Sequence, residues 1–131
     1  MGERHLEITR ELIDAWNAND WETIERYNHL EGEITPPPGW PEAGEFKGWQ
    51  EVRAQFKRLK DPWATEEVEI LQIEELRDGA VLTHVRWVGH GQASGISMDQ
   101  ELWNLYVFEG EVVVRTVFCF ERDEAVRAVG S

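Results

Sequence analysis

The stretch that most constrains the fold is a long hairpin signal. It runs over residues 98–108, turns at Glu109 and Gly110, and returns over residues 111–120. Both arms are rich in β-branched and aromatic residues, and a glycine-containing turn divides them, which predicts two paired antiparallel strands. A sheet with one wet face alternates apolar with polar residues. Here both faces are apolar near the centre. Leu102, Asn104, Tyr106 and Phe108 share one face, and Trp103, Leu105 and Val107 share the other. Each face needs cover, so one is expected to close over a core or cavity and the other to meet a second subunit.

Upstream, Ile8, Leu12, Ala15 and Trp16 recur at three- and four-residue steps, with Ile13 widening the stripe. That period predicts an amphipathic helix over 3–18. A short second helix should follow at once, capped by Asn19 with Glu22 three residues on, or by the competing Asp20. Residues 33–35 suit only a short strand. Pro36, Pro37, Pro38 and Pro41 then impose an irregular loop to about residue 47, with Trp40 as a flap at a cavity rim. A third helix is expected over 49–60. From Trp63 the period becomes two: Val68, Ile70, Gln72, Glu74 and Leu76 alternate against Glu67, Glu69, Leu71, Ile73 and Glu75. Asp78 and Gly79 mark a tight turn into a strand over 80–90. Its odd positions are Val81, Thr83, Val85 and Trp87, and its even positions include His84, Arg86 and His90. Gly89, Gly91 and Gly95 predict a bend, and a terminal helix is expected over 123–129. No strand–helix–strand alternation occurs, which excludes a parallel-sheet fold. The expected class is α+β: one domain over residues 1–131, with a strongly bent sheet and helices on its concave side.

Thirteen Lys and Arg face twenty-six Asp and Glu, a formal net charge of −13. Such a surface repels phosphates and anionic headgroups, so neither nucleic acid nor membrane is an expected partner. The single cysteine, Cys119, allows no internal disulfide and suits a reducing compartment. The first ten residues are polar and charged, which predicts no secretory leader, and no apolar run approaches a membrane span. A cytoplasmic location is expected. Seven tryptophans are many for this length and suit a pocket or an interface.

Several segments together carry a resemblance: Asn17-Ala18-Asn19-Asp20-Trp21 at the first helix junction, Trp40-Pro41-Glu42, and Gly48-Trp49-Gln50-Glu51-Val52. So do Gly110-Glu111-Val112-Val113-Val114-Arg115 and the closing Arg122-Asp123-Glu124-Ala125-Val126-Arg127-Ala128-Val129-Gly130. The chain resembles the SnoaL-like branch of the nuclear-transport-factor-like superfamily, in particular an uncharacterised bacterial subgroup. The resemblance spans nearly the whole chain. It implies a conical half-barrel of mostly antiparallel sheet packed against three N-terminal helices. It also implies a pocket between sheet and helices, and a homodimer joined through outer sheet faces. The same layout puts Val81, Thr83, Val85 and Trp87 inward and His84, Arg86 and His90 outward, whereas a one-residue slip or bulge would reverse them and bring His84 and Arg86 to the pocket. It does not imply one reaction, because members include isomerases, dehydratases, cyclases, epoxide hydrolases and proteins without catalysis. The catalytic tyrosine and acids of ketosteroid isomerases would fall near Leu12, Pro37 and Asn104, so that set is missing. The epoxide-hydrolase type needs an Asp-Arg-Asp set, for which Arg86 and Asp99 are the nearest residues. The polyketide-cyclase type needs a His and an Asp, which His84, His90 and Asp99 supply as types only.

The expected function is small-molecule binding in an apolar aromatic pocket. The alternative is a cofactor-free isomerase, dehydratase, cyclase or epoxide hydrolase acting on a hydrophobic cyclic substrate. Expected ligand contacts are Trp16, Tyr27, Trp40, Trp49, Trp63, Trp87, Asn104, Tyr106, Phe118 and Phe120. If catalysis occurs, His84, Arg86 and Asp99 are the candidate residues, as base and orienting charges. Trp103, Leu105 and Val107 are the expected dimer face. No cofactor is expected. No metal is expected either, since no His-x-His or His-x-x-x-His pair occurs and Gly89, Gly91 and Gly95 open no helix. His5 and His29 read as surface or helix-end residues, and Cys119 as a packed side chain.

Overall fold

A computed structural model describes residues 2–35, 46–91 and 97–129. The proline loop with Trp40, and most of the bend after Gly89, lie outside the described residues. Four helices and six strands follow in the order α1 (Gly2–Ala18), α2 (Trp21–Arg26), β1 (Asn28–Thr35), β2 (Phe46–Lys47), α3 (Trp49–Lys60), β3 (Trp63–Arg77), β4 (Ala80–Gly91), β5 (Ser97–Glu109), β6 (Val112–Cys119) and α4 (Arg122–Val129). The strands form one curved, open sheet in the order β2-β1-β6-β5-β4-β3. All its ladders are antiparallel except β1 with β6, which run parallel. The strand expected over 33–35 begins earlier, at Asn28, because β6 offers it that parallel edge.

Local chemistry accounts for the joints. Asp20, not Asn19, caps α2: its carboxylate accepts from the Thr23 N–H and hydroxyl. Those bonds hold the Asp20 carboxyl below its ordinary pKa. Asn19 instead takes a positive φ of 56°, which asparagine tolerates better than most residues. Gly79 and Gly110 supply the positive φ that the two hairpin turns require. Asn17 meets the outer edge of β3, its Nδ2 donating to Val68 O and its Oδ1 accepting from Val68 N–H, at 2.9 and 2.8 Å. An edge strand otherwise leaves such groups unpaired.

The β4–β5 ladder runs without a register shift from Ala80↔Val107 to His90↔Ser97. Directly opposed residues share a face, so Val81, Thr83, Val85 and Trp87 stand with Tyr106, Asn104, Leu102 and Gln100 on the concave side. This is the expected facing. Strand β3 departs from it. A bulge between Ile70 and Gln72 skips Leu71. Beyond it Ile73 and Glu75 turn inward, opposite Thr83 and Val81, whereas Gln72 and Glu74 turn outward. One inserted residue reverses every later side chain.

The concave face packs on α1, α2 and α3 through Ile8, Leu12, Ile13, Ile24, Val52 and Phe56. The convex face is partly covered by α4, whose Ala125 packs with Ala80, Leu82, Leu105, Val117 and Cys119. Leu105 is 0% exposed within the single chain. It therefore cannot belong to a dimer face as expected; Trp103 and Val107 remain partly exposed. Burial, with Glu124 adding to it, pushes the Cys119 thiol up to about 11, as suits an inert packed side chain.

Candidate functional site

Between the helices and the concave face lies a cavity of about 100 Å³. Helix α1 contributes Leu12, Ile13 and Trp16, and helix α3 contributes Gln55, Phe56 and Leu59. Val68, Val85, Trp87, Leu102, Asn104, Tyr106, Thr116 and Phe118 come from the sheet. The wall is apolar except for a few neutral polar groups. Asn104 is 5% exposed, and its Oδ1 has no hydrogen-bond partner. An unpaired buried acceptor costs roughly 1–3 kcal/mol, so this oxygen is set to receive a donor. Beside it, burial pushes the Tyr106 hydroxyl up to about 12, with the Asn104 and Thr83 side chains acting the other way. Tyr106 is the only ionisable side chain on the wall among the described residues, and it stays protonated near neutral pH.

One end of the wall is fixed by Glu66, whose side chain is 7% exposed. Its Oε2 accepts from the indole N–H groups of Trp16 and Trp87, at 2.9 and 2.7 Å. Its Oε1 pairs with Lys60, which also donates to Trp16 O and lies 4.2 Å from the Trp16 ring centroid. Sequence reasoning missed this carboxylate. The signal was present: Glu66 shares its alternation with Val68 and Ile70, so those two inward residues carry it inward as well.

Of the expected ligand contacts, Trp16, Trp87, Asn104, Tyr106 and Phe118 line the cavity together. Tyr27 stands off it, between the cationic Arg4 and Arg26 and the Ile8 cluster. Trp49 belongs to the core beneath α3, and Trp63 packs against Gly89, where a Cβ would come within 2.8 Å of the indole. Phe120 is exposed at the far side of the molecule's last strand. Trp40 lies outside the described residues.

The candidate catalytic residues all sit on the convex face, away from the cavity. Arg86 donates to Asp99 at 2.8 Å. That bond holds the Asp99 carboxyl below the usual carboxylate range and makes it a poor base. The His84 ring stacks on Trp103, with centroids 3.9 Å apart, and its Nε2 meets Glu101 at 2.7 Å. Because odd positions of β4 point inward, these even positions cannot reach a ligand in the cavity. His90 is exposed on the same side and His29 is exposed on β1, but His5 is buried.

The fold defines the class: a nuclear-transport-factor-like α+β cone. Residues 9–123 match the SnoaL-like domain family, and the chain belongs to it. Solved structures agree on the fold. Bal32a, from a soil-derived mobile gene cassette, is 22% identical over 95% of each chain, with a TM-score of 0.83. An NTF2-like protein of unknown function from Burkholderia pseudomallei is 17% identical over 98% of each chain, at 0.78. TerC, co-crystallised with polyporic acid, is 12% identical over 98% of this chain and 99% of its own, at 0.77. No curated protein matches the sequence. No helix among the described residues is long and apolar enough to cross a membrane.

Proposed function

We propose that this protein binds a small hydrophobic molecule of about one ring that carries a hydroxyl or N–H group. The observation that carries this reading is the unpaired Asn104 Oδ1 on a mostly apolar wall. An acceptor without a partner selects a ligand that brings a donor. Size follows from volume: an engineered apolar cavity of about 150 Å³ holds benzene, so a space of this order suits one ring. TerC, a protein of the same fold, was crystallised with an organic acid, which agrees with small-molecule binding without naming a ligand here.

The test is a matched pair of probes, phenol and toluene. Phenol is expected to raise the melting temperature and to bind about tenfold more tightly than toluene, the value of one neutral hydrogen bond. Asn104→Leu should erase that preference and keep the fold. Calorimetry in which neither probe binds, or in which the preference survives the substitution, would overturn the reading.

A second reading, a cofactor-free enzyme of isomerase, dehydratase, cyclase or epoxide-hydrolase type, draws on Tyr106 as a neutral proton donor. It lacks a base on the described wall, since Glu66 is engaged by three donors and Asp99 faces away. Binding without catalysis is therefore favoured. We also propose a homodimer through the convex face around Trp103 and Val107, with the cytoplasm as its location. The part-exposed indole stacked on His84 supports the interface. Sedimentation at micromolar concentration should give a dimer, and a clean monomer would dispose of it.

A further inference from the structure

At the end of the sheet where both hairpin turns lie, three side chains converge that the cavity does not use. His5 comes from the first turns of α1, Glu75 from the end of β3, and Asp78 from the β3–β4 turn. One ligand atom from each lies within 4.8 Å of the others. His5 is 3% exposed, and its ring stacks on Phe108 with centroids 4.5 Å apart and planes 21° apart. Its Nε2 lies 2.7 Å from Gly110 O. A carbonyl oxygen only accepts, so Nε2 carries the proton. In the neutral ring Nδ1 then holds a free lone pair. That atom is buried and has no hydrogen-bond partner; its nearest acid, Glu75 Oε2, stands at 3.7 Å, beyond hydrogen-bond reach.

We infer that His5 Nδ1, Glu75 and Asp78 form a binding site for a divalent transition-metal cation of the zinc or cobalt type. A ligating imidazole usually donates its other N–H to a carbonyl or carboxylate, which fixes the tautomer and aims the ligand nitrogen. The Gly110 carbonyl supplies that support here. One imidazole with two carboxylates suits zinc or cobalt, whereas magnesium and calcium prefer oxygen alone. Bonds of about 2.0–2.2 Å require ligand atoms closer than they now stand. The two acids are exposed and free to rotate inward, and the buried histidine is the fixed point. The aqueous side of the site leaves room for water as a further ligand. A bound ion would tie the start of α1 to both hairpin turns, because Phe108 N–H already donates to Gly79 O and Gly110 closes the other turn.

The experiment is thermal unfolding of the chelator-treated full chain with Zn²⁺, Co²⁺ or Mg²⁺. Zn²⁺ at about 100 times its dissociation constant should raise the midpoint by roughly 5–15 °C. Mg²⁺ at the same concentration should leave it nearly unchanged, and Co²⁺ should develop visible ligand-field absorption. The paired variant Glu75→Gln/Asp78→Asn keeps the turn, since Asn-Gly suits it as well as Asp-Gly. It should abolish both signals. His5→Gln, which retains a donor for Gly110 O, should abolish them too; if it fails to fold, the paired variant carries the test. The variant Glu67→Gln/Glu69→Gln removes equal charge from the convex face and should keep the shift. No midpoint rise in the wild type, or an equal rise in wild type and Glu75→Gln/Asp78→Asn, would overturn the site.

Discussion

Glu66→Ala is expected to destabilise the protein by about 3–5 kcal/mol, the usual result of removing one member of a buried ion pair. Lys60 would keep its charge at a side-chain exposure of only 10%. The Trp16 and Trp87 N–H groups would lose their acceptor as well. At this chain length the change corresponds to roughly 10–20 °C in melting temperature. Urea unfolding should show a lower midpoint at an unchanged slope, which identifies a loss of stability and not of compactness. The double substitution Lys60→Met/Glu66→Leu should recover much of the loss, because an apolar pair in place of a buried ion pair is often neutral or better. If the two single effects simply add in the double variant, the pair does not act as a unit. The lock matters for the cavity because both indoles it holds are wall residues. Ligand affinity in Glu66→Ala should fall even where the protein remains folded, as the two rings lose their fixed orientation.

Most of the architecture was legible before any coordinates. Helix α3 spans the expected residues, the β3–β4 turn falls on Asp78–Gly79, and the β5–β6 turn falls one residue later than expected, on Gly110–Glu111, with Glu109 paired to Val112. These are local signals: three- and four-residue apolar steps, and glycines where φ must be positive. The facing of β4 and β5 was legible only through the family resemblance, and it holds because their ladder runs unbroken. The bulge at Leu71 was not, because nothing about a leucine among alternating acids marks it as the residue to skip. His5 was misread for a related reason. Its burial comes from Phe108 and Gly110, more than a hundred residues away in sequence, and no pattern within α1 announces that contact. The candidate catalytic set stands on the outer side that the resemblance gave to His84 and Arg86. His84, Arg86 and Asp99 do come together, as opposed residues on neighbouring strands should, but on the side away from the cavity.

The two apolar faces of β5 lead to the remaining large effect. Leu105→Ala is expected to cost about 2–5 kcal/mol, the range for truncating a fully buried leucine. The residue is opposed by Leu82 on one side and Val117 on the other, and Ala125 of α4 lies across it. Small alanines at Ala80 and Ala125 let the helix approach closely, so the deleted methyls leave a void that the packed strands cannot refill. Trp103 and Val107, part-exposed on the same face, should show smaller losses in the monomer. The contrast separates two accounts of the convex face. If α4 is the cover of Leu105, the stability lost in Leu105→Ala is independent of protein concentration. If the loss ran through the proposed dimer interface instead, it would shrink as dilution takes both proteins to monomers, because dimer stability depends on protomer concentration. Urea titrations at two concentrations tenfold apart decide between them. Helix α4 predicts the same difference between wild type and Leu105→Ala at both concentrations, since its contact with Leu105 is made within one chain.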